Sequence, residues 1–269
     1  MKTISITSGK GGVGKSIVSV NLGLALAKDG KRVLLFDADL SLANIDILFG
    51  LNCEYNLSDV IAGSKEIDEI LIEPVPGLKV LPASSGVLKL ARLDQAQLVR
   101  IAIALQELAK DFDTLLIDTG AGLNEPVLFF NSSVDEVLVV TTPDPTAMTD
   151  AYALIKILNS NYELKSAVVL VNQVENTAEG AHVFHRLKSV CRKYLTVKLV
   201  DGGCLLKDPM LGNAVRNRKP VFLSYPNSPI SRQFCALARR HDELFSSTSN
   251  GLTKDFWGKL LTQQFGKEE

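Results

Sequence analysis

The chain has 269 residues, 46% of them hydrophobic and 22% charged, with a formal net charge of −1. That composition suits one large α/β domain or two small ones, and no internal repeat or linker before residue 246 favours two. The near-neutral balance argues against a protein that coats nucleic acid, and no apolar run is long enough to span a bilayer.

The chain enters a short apolar run, Ile4-Ser5-Ile6-Thr7, without a signal peptide, so a cytoplasmic protein is expected. Next comes Gly9-Lys10-Gly11-Gly12-Val13-Gly14-Lys15-Ser16, then an amphipathic run from Ile17 to Lys28. The order is strand, glycine loop, helix, and Gly-x4-Gly-Lys-Ser is the spacing of a phosphate-binding loop. Glycines let successive backbone N–H groups turn toward one anionic centre, and the helix N-terminus adds positive potential. Lys15 would reach the β- and γ-phosphates, and the Ser16 hydroxyl would ligate Mg²⁺. Lys10 is a second lysine inside the loop, which an ordinary phosphate-binding loop does not need.

Farther along, 32–37, 78–82, 114–118, 137–142, 167–172 and 197–200 read as strands, most of them continuously apolar. Helical patterns lie near 16–28, 94–110, 146–159, 178–193 and 229–245. The alternation predicts a doubly wound, mostly parallel sheet, whose ligands bind beyond the strand C-terminal ends. Two further strand ends carry carboxylates, in Phe36-Asp37-Ala38-Asp39 and in Asp118-Thr119-Gly120. An Asp at either site alone reads as a turn or helix cap. Three beside a glycine loop read instead as a nucleotide–Mg²⁺ site, with Asp39 able to orient a water against the γ-phosphate. Cys53, Cys191, Cys204 and Cys235 are scattered without metal or cluster spacing, as expected of free thiols. His182 and His185 lack a companion ligand at metal spacing.

The pair Lys10 and Lys15 in KGGVGKS resembles the deviant Walker A motif of the MinD/ParA group of dimerising ATPases. Phe36–Leu51 (FDADLSLANIDILFGL) resembles its first switch, and Asp118–Leu123 (DTGAGL) its second. Within the group, Pro143–Lys156 and Arg218–Ser231 are most similar to the FlhG/FleN regulators of flagellar number and placement. The resemblance runs from Ile4 to about Phe265.

It implies a P-loop NTPase fold and slow, dimerisation-dependent hydrolysis of ATP with Mg²⁺. Lys10, Lys15 and Asp39 would be catalytic, Lys10 by crossing an ATP-bound homodimer to the partner's phosphates. Gly9, Lys10, Gly11, Gly12, Val13, Gly14, Lys15, Ser16 and Ile17 would hold ATP. Asn172 would read adenine, with Asp208 near it. Ser16 would ligate Mg²⁺, and Asp37 and Asp118 would organise its waters. The implied partners are a flagellar transcription activator of the FleQ type and the GTPase FlhF, at the inner, polar face of the cell membrane. No specific nucleic acid is expected. Division-site placement, as in MinD, or DNA partitioning, as in ParA, would use the same residues. An iron–sulfur carrier of this fold would need a cysteine pair.

Two departures stand out. Gly203-Cys204-Leu205-Leu206 lacks the apolar-Pro pair usual before the adenine-side loop. The Asp-Gln-Ala extension that stimulates FlhF is not at the N-terminus, and Asp94-Gln95-Ala96 reads as coincidence.

The expected organisation is an ATPase domain over 1–245, a Ser/Thr/Asn/Gly linker over 246–251 and an amphipathic helix over 252–269. Leu252, Phe256, Trp257, Leu260, Leu261 and Phe265 recur at helical spacing. Such a face can lie on a membrane, dock on its own domain or fray in solution. Its charges nearly balance, so one copy attracts anionic lipid weakly. Arg186, Lys188, Arg192 and Lys193 on one predicted helix, with Arg216, Arg218 and Lys219 in a loop, read as a solvated face, a docking surface for an acidic partner or, as the resemblance to ParA allows, a weak nonspecific DNA contact.

Overall fold

The computed structural model describes residues 1–39, 44–82 and 107–245. The Asp94-Gln95-Ala96 stretch, most of the helix predicted over 94–110, and the linker and tail with its six apolar positions lie outside those residues.

The strands are β1 (Lys2–Ser8), β2 (Val33–Ala38), β3 (Ile72–Val75), β4 (Leu78–Leu81), β5 (Thr114–Ala121), β6 (Glu136–Thr141), β7 (Ser166–Val174) and β8 (Lys198–Leu206). They form one sheet in the order β3-β4-β2-β5-β1-β6-β7-β8. All neighbours pair in parallel except the β3–β4 edge, so the doubly wound, mostly parallel sheet expected from the sequence is present. Helices cover both faces: α1 (Lys15–Lys28), α2 (Ile45–Phe49), α3 (Leu57–Ile61), α4 (Glu125–Ser133), α5 (Pro145–Tyr162), α6 (Thr177–Tyr194), α7 (Pro209–Arg216), α8 (Val221–Ser224), α9 (Pro229–Arg239) and α10 (His241–Leu244).

Sequence patterning explains this layering. In β1, Ile4 and Ile6 join Leu22 and Leu26 of α1 and Phe234 of α9 in the core of one face. The alternate residues Ser5 and Thr7 face α4, where both bond the Asn131 amide at 2.7 and 3.0 Å. Val139, Val169 and Val171 pack on Leu154 of α5 and Leu187 of α6. A third cluster joins Leu34, Phe36, Leu115 and Ile117 to Phe130. Because the strands are parallel, the loops after Ser8, Ala38, Ala121, Thr141 and Val174 open at one end of the sheet. The connections leave in opposite directions on either side of β1, which makes the crevice where such sheets bind ligands.

Two predicted elements differ by more than a few residues at their ends. The helix expected over 229–245 is two, because Arg240 (φ −85°, ψ 3°) leaves helical geometry between α9 and α10. The strand expected over 197–200 runs on to Leu206 through a register shift, where Gly202 passes so close that a Cβ would lie 2.8 Å from the Val169 carbonyl oxygen.

Candidate functional site

The glycine loop turns from β1 into α1 as its spacing requires. Gly12 (φ 78°) and Gly14 (φ 87°) occupy left-handed backbone, which side chains adopt only at a cost. Gly9 is needed for space, since a Cβ there would come 2.2 Å from the Asp150 carbonyl oxygen of α5. Asn172, at the end of β7, donates from Nδ2 to the Val13 carbonyl at 2.8 Å. Gln173 donates from Nε2 to the Gly12 carbonyl at 3.3 Å. Each trans peptide points its N–H opposite its C=O. Holding the Gly12 and Val13 carbonyls toward β7 therefore turns the Val13 and Gly14 N–H groups the other way, into the loop. Gly14 also leaves room for that contact, because its Cβ would lie 2.4 Å from Asn172 Nδ2.

Lys15 opens α1 and is buried, with Nζ 3.6 Å from Asp118 Oδ1 on β5. Ser19, one turn later, donates to the same oxygen at 2.9 Å. Asp118 Oδ2 is buried without a hydrogen-bond partner. Burial raises the Asp118 carboxyl above its usual range, opposed by Lys15 and by hydrogen bonds from Ser16 and Ser19. Asp37 lies directly across from Asp118 in the β2–β5 register. Its carboxylate accepts from the backbone N–H of Asp39 at 3.1 Å, Asn44 at 3.1 Å and Ile45 at 3.2 Å, tying the start of α2 to the end of β2. Burial, and secondly the charge of Asp118, push Asp37 up to about 7.

The two carboxylates, Lys15 and Ser16 form an oxygen-rich corner beside the glycine loop. The unpartnered Asp118 Oδ2 fits a group that brings its own hydrogen-bond donors, such as a hydrated Mg²⁺. Among the described residues no three His, Cys, Asp or Glu side chains converge to hold a metal alone. A Mg²⁺ held at Asp37 and Asp118 would take its other ligands from phosphate and water, as is usual for this ion.

The Asp37 shift has a measurable consequence. Between pH 4 and 7 the folded protein holds a proton on Asp37 that the unfolded chain has released, so this group's contribution to stability falls as pH rises. Asp37→Asn is expected to flatten that part of the slope in metal- and nucleotide-free protein, read by thermal unfolding at pH 5, 6, 7 and 8. The same slope in both proteins would contradict the assignment.

Asp39 lies just beyond β2, beside the second glycine-rich turn: a Cβ on Gly120 would come 3.7 Å from its Oδ1. Lys10 is outside this corner. Its Nζ donates to Asp144 Oδ2 at 2.8 Å and to Thr146 Oγ1 at 2.5 Å, at the N-terminus of α5. Asp144 also caps that helix through the Thr146 N–H at 2.7 Å. Lys10 first, then Thr146, holds its carboxyl well below the usual range. Asp208 caps α7 by accepting from the Met210 N–H at 2.8 Å. Its segment runs beside the end of β7, where the Lys207 N–H bonds the Val174 carbonyl at 2.9 Å. Ile17 lines a small apolar cleft with Val20, Leu48, Leu211, Ala214 and Val221.

Lys15, Asp37, Asp118 and the glycine loop thus converge, with Asp39 at the margin. Asn172 supports the loop from behind, Lys10 sits apart, and Asp208 is a helix cap. Sequence reasoning missed Ser19, Gln173 and Asp144. The signal for Asp144 was available, as an Asp before a helix-starting Pro.

A family model described as an AAA domain matches residues 1–170. The antiactivator FleN of Pseudomonas aeruginosa is 39% identical, over 90% of this chain and 86% of its own. The flagellum site-determining protein YlxH of Helicobacter pylori is 36% identical, over 88% of this chain and 80% of its own. Among solved structures, the MinD cell division protein of Aquifex aeolicus superposes with a TM-score of 0.71 at 27% identity, covering 89% of this chain and 96% of that one. With its two-lysine loop and paired strand-end carboxylates, the chain belongs to the MinD/ParA family of P-loop ATPases, in the FlhG/FleN branch.

Proposed function

We propose that this ATPase is a switch that dimerises on ATP and controls flagellar number or placement, with hydrolysis as its timer. One observation carries the reading. Lys15 is buried against Asp118, whereas Lys10 is half exposed and held on Asp144, outside its own site. A lysine so positioned can leave its exposed ion pair to serve a neighbour's phosphates once ATP draws two copies together.

In this reading the loop N–H groups from Gly9 to Ser16, with Lys15, bind the triphosphate, and Ile17 begins the wall beside it. Asn172 and Asp208 lie on the adenine side. Ser16, Asp37 and Asp118 would hold Mg²⁺, directly or through water, and the ion would offset charge on the phosphate oxygens. Asp39 orients the attacking water. The partner's Lys10 stabilises charge growing on the γ-phosphate, where a preorganised cation has its greatest effect.

Asp144 then competes with the dimer for Lys10. Exposed ion pairs are individually weak, so Asp144→Asn is expected to leave the melting temperature nearly unchanged and raise hydrolysis by at most roughly fivefold at limiting protein. A colorimetric phosphate assay across protein concentration checks this, and a fall in rate would count against it.

The partners in this proposal are a second copy of the chain and a flagellar transcription activator of the FleQ type, with FlhF as a further candidate. No helix among the described residues is long and apolar enough to cross a membrane. Peripheral attachment at the cytoplasmic face, through Leu252, Phe256, Trp257, Leu260, Leu261 and Phe265, completes the proposal. Domain 1–245 would be the switch, and 252–269 its membrane contact.

The test is expression in Pseudomonas aeruginosa lacking FleN, with flagella counted by electron microscopy. Restored flagellar number by the intact chain, but not by Lys15→Ala, is expected. No change with either protein, although both are expressed, would overturn the flagellar reading.

A further inference from the structure

All the parallel strands begin at one end of the sheet, opposite the glycine loop. There, β7 and β8 start side by side, with the Lys198 N–H bonded to the Lys165 carbonyl at 2.9 Å. The last turns of α5 and α6 meet at the same corner, since Asn159 bonds the Leu164 carbonyl at 2.8 Å and the Thr196 hydroxyl at 3.2 Å. Lys165, Arg192, Lys193 and Lys198 are exposed there. None of the four pairs with a carboxylate among the described ion pairs. Acids lie on this side too: Glu163 at the end of α5, and Asp135 and Glu136 where β6 starts beside β7. Arg192 and Lys193 suit a helix C-terminus in any case, but Lys165 and Lys198 lie outside the helix. Two tyrosines stand among these cations, Tyr194 at 63% exposure and Tyr162 at 38%.

The chain leaves the described body at the same end. Lys2, at the start of β1, donates to the Phe245 carbonyl. His241 lies 3.3 Å from the hydroxyl of Thr114, the first residue of β5. The apolar sequence over 252–265 follows within a few residues. Elsewhere on this end Arg32 pairs with Asp113 and Lys31 with Asp242.

We propose that the corner formed by Lys165, Arg192, Lys193 and Lys198, with Tyr162 and Tyr194, is a second membrane contact that recognises anionic lipid headgroups. This rests on the peripheral membrane attachment proposed above. The tail supplies apolar area but little net charge, and the corner supplies charge and interfacial aromatics. Tyrosine favours the headgroup region, where its ring is half buried and its hydroxyl wet. A flat surface laid against the strand-start end of one protomer would touch its corner and its tail exit together, while its nucleotide site faces away toward the partner. The two contacts, each weak alone, then act as a linked pair.

The test is co-sedimentation of the full chain, with ATP and Mg²⁺, on phosphatidylcholine vesicles with and without phosphatidylglycerol, at low and high salt. Each cation near an anionic leaflet is worth about fivefold in partitioning. Joint Lys165→Glu, Arg192→Glu, Lys193→Glu and Lys198→Glu replacement is expected to weaken binding to phosphatidylglycerol vesicles by at least roughly tenfold. It should also abolish the salt dependence, and leave neutral-vesicle binding and vesicle-free hydrolysis unchanged. Truncation after Phe245 is expected to remove binding to both vesicle types. Undiminished, still salt-sensitive binding by the charge-reversed chain would overturn the corner proposal while the tail reading stands. Loss by the charge-reversed chain with full retention by the truncated one supports the corner and overturns the tail. No vesicle binding by the intact chain overturns both. Unchanged vesicle binding with lost retention on a random DNA duplex would reassign the corner to nucleic acid.

Discussion

Lys15→Ala is expected to abolish nucleotide binding, lowering affinity for ATP by on the order of a thousandfold through lost charge-assisted contacts to phosphate. The effect extends beyond the ligand. Lys15 is the cation 3.6 Å from Asp118, a fully buried carboxylate with one oxygen already unpartnered. Without that charge Asp118 is driven further toward its protonated form, the usual response of a buried, uncompensated carboxylate. The variant should therefore remain folded at neutral pH, with lower stability and a stronger pH dependence. Titration of a fluorescent ATP analogue, with circular dichroism as the folding check, reads both effects. Near-normal affinity in a folded variant would remove Lys15 from the phosphate site.

Asp39→Ala is expected to do the opposite to the assembly. The residue lies at the margin of the site, beside Gly120, and is not part of the buried Lys15–Asp118 pair. Its loss should leave ATP affinity within a few-fold of normal. A positioned acid–base group contributes about 10²–10⁴-fold to rate, so hydrolysis should fall by at least roughly a hundredfold. With the timer stopped, ATP-bound dimer accumulates. Gel filtration with ATP and Mg²⁺ should show a dimer for Asp39→Ala where the parent chain shows a mixture, and a variant that stays monomeric would contradict the scheme.

Much of this site could be read from the sequence because its residues sit at the ends of apolar runs. A strand buried on both faces shows as an apolar run, and Asp37, Asp118 and the glycine loop each follow such a run, although β2 and β5 continue past their carboxylates to Ala38 and Ala121. That Asp37 faces Asp118 could not be read, because it depends on β2 and β5 being neighbours, and strand order is a property of the whole sheet. The β3 edge was missed because Ile72-Glu73-Pro74-Val75 is too short, and too broken by its proline, to show a period. The helices α2 and α8, of five and four residues, are below the length at which a helical repeat appears. The break at Arg240 has no Gly or Pro to mark it. It follows from tertiary contacts, with Arg240 reaching the Asp201 carbonyl at 3.1 Å while His241 turns in toward Thr114.

Asn172 shows a different limit. Its resemblance to an adenine-reading residue suggested a direct ligand contact. In the structure its Nδ2 is engaged by the Val13 carbonyl, and its Oδ1 accepts the Gln173 N–H at 2.8 Å. Gln173 itself has φ 59°, a left-handed conformation uncommon for a residue with a side chain. The Val13 contact has no sequence signature, since it needs β7 to end beside the loop after β1. One donor hydrogen remains on the Asn172 amide, so support of the loop and contact with a base are compatible roles.

If Lys10 works on the partner's nucleotide, two variants that each lack one half of the site should restore each other when mixed. Lys10→Ala keeps Asp39 but has no lysine to offer, and Asp39→Ala offers Lys10 but cannot position water. Each alone should hydrolyse ATP at no more than a few per cent of the parent rate, in keeping with a loss of order a hundredfold from one positioned group. Mixed in equal amounts, they should recover activity, because a mixed dimer contains one complete site, built from Asp39 of one chain and Lys10 of the other. If Lys10 acts within its own chain, the mixture stays as inactive as its components, and that result would contradict the account.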